Sequence, residues 1–222
     1  MSAVNSLLRE VAYLIVDIAM NRNFLALLVV AVAVFAVAIV YGVGLLSSSH
    51  QYKPPIELTP REMPLFTLTN QYGDRFSLDS VRGKVVLLYF GYVNCPDVCP
   101  LVMSRFAYAL DNLTPEELER VAFIFVTTDP ERDTVEALRR YIKLYDERII
   151  ALTGSGEELK QVWSAYGFEP IYTEKDERGN YYVTHPAFVF VADKNLVIRY
   201  ALTPELPPEE YLLTVRYMLS SN

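Results

Sequence analysis

A run of 23 residues without a charge or a proline, from Phe24 to Leu46, divides the chain into two unequal parts. About 20 apolar residues in a helix cross a bilayer core of about 30 Å, so this run is long enough to span a membrane once. We therefore predict a transmembrane helix over residues 24–46. Residues 47–55 are polar and end in two prolines, which is typical of a linker. Residues 56–222 then form a domain outside the membrane.

A cleaved signal peptide is the alternative to a retained anchor. The apolar region of a signal peptide usually has about 7–15 residues and follows a short basic start. Here residues 1–23 precede the apolar run, and they include Glu10 and Asp17. In the same segment apolar residues recur at helical spacing, so an amphipathic helix could lie at the membrane interface. We interpret the run as an uncleaved anchor.

Charge gives the predicted orientation of the span. Arg9 and Arg22 precede the run and Lys53 follows it, which favours a cytoplasmic N-terminus and an extracytoplasmic domain. The absence of a basic, acid-poor presequence favours a single-pass protein of a prokaryotic plasma membrane, although the mitochondrial inner membrane is also compatible. The charges before the span cancel, so the remainder carries the whole net charge of −7. Such an acidic domain is not expected to bind nucleic acid.

The pattern of residues 56–222 predicts an α/β domain. Two nearly continuous apolar runs, at residues 84–90 and 121–126, are typical of strands that are buried on both faces. Helical patterns occur at residues 100–113, 133–145, 157–166 and 209–219. Hairpin patterns occur before and after the two runs, at residues 66–78 and 187–200. Strands that alternate with helices and end in an antiparallel hairpin indicate a mixed sheet flanked by helices.

The two cysteines of the chain lie in one short motif, from Asn94 to Pro100. Pro96 suits the first position of a helix, so we predict that a helix begins there and stabilises the thiolate of Cys95 at its N-terminus. A spacing of four places Cys95 and Cys99 on one helical face with Cβ atoms about 5–6 Å apart. That separation suits a shared soft ion better than a disulfide. Two thiolates favour Cu(I) or Zn(II), often with an imidazole as third ligand.

The chain has two histidines that could supply this imidazole. His50 lies in the predicted linker, where a solvated side chain is expected. His185 precedes the predicted strand at residues 187–192. From its position alone, His185 could equally be a surface loop residue.

Two motifs resemble the signatures of the Sco/SenC family of copper-binding, thioredoxin-like proteins. They are LYFGYVNCPDVCP at residues 88–100 and TDPERDT at residues 128–134, and the resemblance extends over about residues 62–220. It implies a thioredoxin-like fold and one copper ion, Cu(I) or Cu(II), bound by Cys95, Cys99 and His185. It also implies a metallochaperone, a thiol reductant or both, acting in assembly of the binuclear copper centre of cytochrome c oxidase. The expected partner is subunit II or another copper acceptor or donor protein.

The chain departs from this family at two positions beside the histidine. Thr184 and Pro186 stand where the family often has an acidic residue and a serine. Pro186 could correspond to the cis-proline that faces the active cysteines of thioredoxin-like reductases. A membrane-anchored thiol–disulfide oxidoreductase without a role in metal delivery is therefore the alternative, and whether the protein is an enzyme stays open.

Two further interpretations concern a peroxidase and a second metal site. Peroxiredoxins usually have threonine three residues before the reactive cysteine, where this chain has Tyr92, which argues against a peroxidase. The acidic residues Asp129, Glu131 and Asp133 could suggest a second metal site. We interpret them instead as capping the helix that follows, with Arg132 neutralising its neighbours.

Overall fold

The computed structural model describes residues 9–13, 28–38 and 52–221. Residues 9–13 and 28–38 are helical. Within these three segments no helix is both long enough and apolar enough to cross a membrane. The rest of the predicted span at 24–46, most of residues 1–23 and most of the predicted linker lie outside the described residues, so the anchor stays a prediction.

Residues 52–221 contain an eight-stranded mixed sheet and a separate two-stranded sheet. The strands are β1 (Ile56–Glu62), β2 (Thr67–Asn70), β3 (Arg75–Ser77), β4 (Val85–Gly91), β5 (Val121–Thr127), β6 (Ile150–Thr153), β7 (Ile171–Tyr172), β8 (Val183–Thr184), β9 (Val189–Ala192) and β10 (Val197–Leu202). The strand order of the large sheet is β1-β10-β9-β4-β5-β6-β2-β3, and β7 pairs with β8. The pairs β4–β5 and β5–β6 are parallel, and the other pairs are antiparallel.

Five α-helices accompany the sheet, with a short 3-10 helix at Leu78–Val81. They are α1 (Val98–Asn112), α2 (Pro115–Leu118), α3 (Val135–Ile142), α4 (Gly156–Ala165) and α5 (Pro208–Ser220). Local sequence fixes several starts. Thr114 and Ser155 form capping boxes with Glu117 and Glu158, and such boxes satisfy two N–H groups that would otherwise lack partners.

The central strand β4 separates two hydrophobic clusters, and all seven of its residues are buried. Leu87 and Tyr89 face the cluster that contains α1, α3 and α5. Leu88 and Phe90 face the cluster that contains α4. Because successive side chains of a strand point to opposite faces, the continuous apolar run at residues 84–90 corresponds to a sheet covered on both sides, as predicted. Both cysteines belong to the α1 face.

Some elements differ from the expectations. The edge strand β1 was not predicted, because its residues are mostly exposed and Pro60 interrupts the pattern. The helix expected over residues 133–145 is shorter and begins after Thr134, whose hydroxyl accepts from the N–H of Ala137. Tyr52, assigned to the linker from sequence, donates to the Glu210 carboxylate on α5 at 2.6 Å.

Candidate metal centre

The cysteine motif forms a turn followed by the start of α1. The turn follows the end of β4 at Gly91, and the N–H of Cys95 donates to the carbonyl of Tyr92 at 3.2 Å. The helix begins at Val98, with Asp97 as its N-cap. The expectation that Pro96 starts the helix is therefore wrong. Cys95 lies in the turn, and only Cys99 belongs to the first helical turn, where Pro100 also needs no N–H partner.

The structure brings Cys95, Cys99 and His185 together, although their distance does not come from helical spacing. The ligand atoms of the three residues all lie within 4.8 Å of one another. The Cys99 Sγ and His185 Nε2 atoms are 3.5 Å apart. His185 reaches them from the segment between β8 and β9, and β9 is the antiparallel neighbour of β4.

The orientation of the imidazole leaves Nε2 available. Nδ1 of His185 lies 3.0 Å from the carbonyl oxygen of Pro186. Because a carbonyl oxygen can only accept, Nδ1 carries a proton, and Nε2 is the ring nitrogen that faces the cysteines. The carbonyl of Pro186 thus orients the ring in the absence of an acidic residue at position 184. The proposed resemblance of Pro186 to a cis-proline is wrong, since residues 52–221 contain no cis peptide bond.

The two thiols have opposite electrostatic environments. A hydrogen bond from Cys99, together with contacts to His185 and to the N–H groups of Asp97 and Cys99, lowers the pKa of Cys95 to about 3 although burial opposes this shift. Burial, and then the neighbouring Cys95 sulfur, raises the pKa of Cys99. Both residues are buried, with 8% of Cys95 and none of Cys99 exposed. The metal-free pair therefore consists of a Cys95 thiolate and a more deeply buried Cys99 thiol.

Two tyrosines pack against the imidazole, and no sequence pattern predicts this contact. The ring centroids of Tyr92 and Tyr89 lie 5.6 Å and 5.9 Å from that of His185, both in edge-to-face geometry. The hydroxyl of Tyr89 donates to Cys99 Sγ at 3.5 Å. Tyr92 occupies the position of the peroxiredoxin threonine and packs against the histidine. The last residue of β4, Gly91, leaves room for the Cys99 sulfur, because a Cβ at this position would lie only 2.8 Å from Cys99 Sγ.

The prediction that the acidic residues after β5 cap the following helix is wrong, because Asp129 and Asp133 are buried and form other hydrogen bonds. Asp133 is buried, and its Oδ2 accepts from the Thr127 hydroxyl at 2.6 Å and from the N–H of Val93 at 3.1 Å. Asp129, also buried, pairs with Arg132 and accepts from the Tyr181 hydroxyl at 2.7 Å. Thr134, rather than an acidic residue, caps α3.

Among the residues that the structure describes, Cys95, Cys99 and His185 form the one group of three metal-ligating side chains close enough to hold an ion. Glu131 instead lies at the surface, 3.7 Å from the ammonium group of Lys175.

Comparisons with known proteins identify the same family that the two sequence motifs resemble. The family model described as SCO1/SenC matches residues 56–220. The chain belongs to the SCO1/SenC family. It is 33% identical to a SCO2-like protein of Rickettsia prowazekii over 59% of this chain and 63% of the relative. It is also 33% identical to the mitochondrial SCO1 homolog 1 of Arabidopsis thaliana, over 64% of this chain and 39% of the relative. The chain thus spans less than two thirds of these relatives.

Solved structures of Sco proteins share the thioredoxin-like mixed α/β fold. ScoI of Bradyrhizobium japonicum with copper bound has 27% identity and a TM-score of 0.65, covering 71% of this chain and 99% of that one. Apo Sco1 of Thermus thermophilus has 30% identity and a TM-score of 0.67, covering 77% and 98% of the two chains. The fold predicted for the domain is confirmed.

Proposed function

We propose that this SCO1/SenC protein binds one copper ion through Cys95, Cys99 and His185. The observation that carries the proposal is the convergence of two sulfurs and one imidazole nitrogen within 4.8 Å. Two soft thiolates with an imidazole suit copper better than calcium, magnesium or manganese. The Bradyrhizobium and Arabidopsis ScoI proteins, whose structures hold copper, are 27% and 28% identical to this chain.

The separations fit a single ion. Protein ligands lie about 2.0–2.3 Å from a first-row ion of this kind, so two ligands on opposite sides of it are at most about 4.6 Å apart. Small side-chain movements would therefore bring all three atoms onto one ion. Cys95 is already a thiolate, whereas the Cys99 thiol has to lose its proton when the metal binds. Copper binding should then release about one proton per chain near neutral pH.

We propose that the bound copper serves assembly of the binuclear copper centre of cytochrome c oxidase, with subunit II or another copper protein as acceptor. The arrangement supports exchange of ligands at one side of the site. His185 is partly exposed, Cys95 is buried but keeps 8% of its surface exposed, and Cys99 is completely buried. An incoming thiol or imidazole could replace the outer ligands while Cys99 still holds the ion.

We also propose a single anchor over residues 24–46 that places the domain outside the cytoplasm, at a prokaryotic plasma membrane.

A thiol-reductant role is the second candidate, and the Cys95 thiolate favours it. That thiolate can attack a disulfide of a partner and form a mixed disulfide, expelling one partner thiolate. Cys99 then loses its proton and attacks the Cys95 sulfur, which releases the second partner thiolate and leaves a Cys95–Cys99 disulfide. The partner gains the two electrons that the cysteine pair loses. This cycle needs no metal and no His185, so the two roles can be separated by experiment.

Metal analysis of the full chain in detergent tests the copper proposal. The reduced protein, dialysed after addition of Cu(I), should keep one copper per chain, and the Cys95→Ser/Cys99→Ser variant should keep none. A protein oxidised to the Cys95–Cys99 disulfide should also keep none, because neither sulfur then offers a thiolate. Undiminished copper in the double variant would overturn the proposal.

A further inference from the structure

The hydroxyl of Tyr89 is an unusual group to find at the middle of the sheet. Tyr89 lies on the central strand β4 and has no exposed surface. On the same face of this strand, Val85 and Leu87 carry no polar atom. Burying a hydroxyl costs free energy unless it finds a hydrogen-bond partner. Its partner is the Cys99 sulfur, at 3.5 Å.

A phenylalanine at this position would fill the core equally well. The Tyr89 ring packs against Phe125, with ring centroids 6.2 Å apart, and that contact does not involve the hydroxyl. The backbone also crowds the ring against the cysteine. A Cβ on Gly91 would lie 2.9 Å from Tyr89 Cε1 and 2.8 Å from Cys99 Sγ. The Tyr89 ring and the Cys99 sulfur therefore pack against the same glycine, and the ring places its hydroxyl within hydrogen-bond distance of the sulfur.

We propose that Tyr89 is a positioning residue that controls the electron density on the Cys99 sulfur. The inference rests on the proposed copper function, which it deepens. A hydrogen bond to a metal-bound thiolate stabilises the negative sulfur and reduces its donation to the metal. The Tyr89 ring also packs edge-to-face against the His185 ring, with the centroids 5.9 Å apart. Tyr89 therefore contacts two of the three proposed ligands and helps to position them.

The bond has two measurable consequences. In the copper-bound protein, its loss should weaken Cu(I) binding, because the buried negative sulfur loses a hydrogen bond that stabilises it. The same loss should make the sulfur a stronger electron donor to Cu(II). In the metal-free protein, its loss should destabilise the dithiol more than the disulfide, because sulfur in a disulfide accepts hydrogen bonds more weakly. The second consequence does not depend on copper.

Tyr141 provides a matched control. It is buried in the same cluster, and its ring centroid lies 5.7 Å from that of Phe125, the same ring that contacts Tyr89. Its hydroxyl makes no hydrogen bond to either cysteine. Tyr89→Phe and Tyr141→Phe therefore each remove one buried hydroxyl from one hydrophobic cluster, but only the first removes a bond to sulfur.

The test compares the two variants with the unaltered full chain in detergent. Competition with a Cu(I) chelator should show affinity lowered about tenfold in Tyr89→Phe, the scale of one hydrogen bond to a charged group. The thiolate-to-Cu(II) charge-transfer band should move to longer wavelength. Equilibration with oxidised and reduced glutathione should show the Cys95–Cys99 disulfide favoured about threefold or more. Tyr141→Phe should match the unaltered chain in all three measurements.

The outcomes distinguish this inference from the copper proposal. If the unaltered chain binds no copper, the proposed function fails, and the glutathione equilibrium alone decides the role of Tyr89. A Tyr89→Phe protein with an unchanged band and an unchanged glutathione equilibrium overturns the inference, whatever its copper content. Equal shifts in Tyr141→Phe would also overturn it, since they would reflect core packing rather than the bond to sulfur.

Discussion

The backbone N–H of Val93 donates to the carboxylate of Asp133 at 3.1 Å, which ties the turn before Cys95 to the loop after β5. Thr127, the last residue of β5, donates to the same oxygen at 2.6 Å. The other oxygen of Asp133 is buried and has no partner. Because a carboxylate in this setting is poorly solvated, its protonation state should affect the stability of the loop that carries the cysteine.

Asp133 should make the stability of the domain fall as the pH rises. Burial, and to a lesser extent the Asp129 carboxylate, raises the pKa of Asp133 to about 7, against the hydrogen bonds from Thr127 and Val93. The unfolded chain titrates near the ordinary value of about 3.9. The folded state therefore binds the additional proton, and the resulting stabilisation is complete below about pH 4 and is lost as the pH rises through about 7.

Asp133→Asn tests this pH dependence, because asparagine resembles the protonated acid and does not titrate. Urea unfolding of the reduced, metal-free chain at pH 5 and pH 8 should show the unaltered protein losing about 2 kcal/mol more than the variant over this interval. Parallel losses in the two proteins would show that Asp133 is ionised in the fold across the whole interval.

Gly91→Ala should distort the candidate metal centre by steric crowding of Cys99. A Cβ at this position would lie 2.8 Å from Cys99 Sγ and 2.9 Å from Phe125 Cε2, so the start of α1 or the aromatic rings would have to shift. Overpacking of this kind costs about 1–3 kcal/mol, and we expect Cu(I) affinity to fall about tenfold or more. Gly156→Ala is the control, since nothing lies within 4 Å of its Cβ position. Copper affinity that is equal in both variants would contradict the expected crowding.

His185→Ala should leave the fold and the two thiols intact but weaken Cu(I) binding by a factor of about 10–100. Removing a residue that only orients a metal ligand already lowers metal affinity by about this factor. Cu(II) binding should weaken more, because this borderline ion depends more on nitrogen. His50→Ala, in the predicted linker, is the control. Competition with a chelator at one pH measures both variants. Equal affinity in the unaltered chain and His185→Ala would remove the histidine from the site and favour the thiol–disulfide oxidoreductase.

Alkylation should distinguish the two cysteines without any metal. Because the pKa of Cys95 is lowered to about 3, its rate constant with iodoacetamide should be nearly constant from pH 5 to pH 8. An ordinary thiol with a pKa of about 8.5 reacts about tenfold faster per pH unit in this range. Cys99, which is fully buried and has a raised pKa, should stay unmodified. Peptide mapping by mass spectrometry gives both rates, and urea-unfolded protein should show two ordinary thiols. A tenfold rise per unit at Cys95 in the folded chain would contradict the lowered pKa.

Much of the fold was predictable because the decisive signals are local. The apolar run at residues 84–90 corresponds to β4, and the run at residues 121–126 corresponds to β5. The edge strand β1 was not predictable in this way. It buries little surface and contains Pro60, so it lacks the alternation of a half-buried strand, and only its pairing with β10 defines it.

The candidate ligands came from the small inventory of soft ligand residues and from the family resemblance. The start of α1 was misplaced because Pro96 and Pro100 both satisfy the rule that proline suits a first helical turn. The proximity of Cys95 and Cys99 therefore arises from a turn and not from a helical face. The contacts of Tyr89 and Tyr92 with His185 depend on the pairing of β4 with β9, which no local pattern encodes.

The pairing of β1 with β10 sets an order of events during biogenesis. Ile56 lies opposite Ala201, so a chain that emerges from its N-terminus cannot complete the sheet until almost all of the domain has been made. His185 emerges long after Cys95 and Cys99. If the domain folds outside the cytoplasm as proposed, the two thiols meet an oxidising compartment before their third ligand exists. Any Cys95–Cys99 disulfide that forms at that stage has to be reduced before the chain can receive its first copper ion.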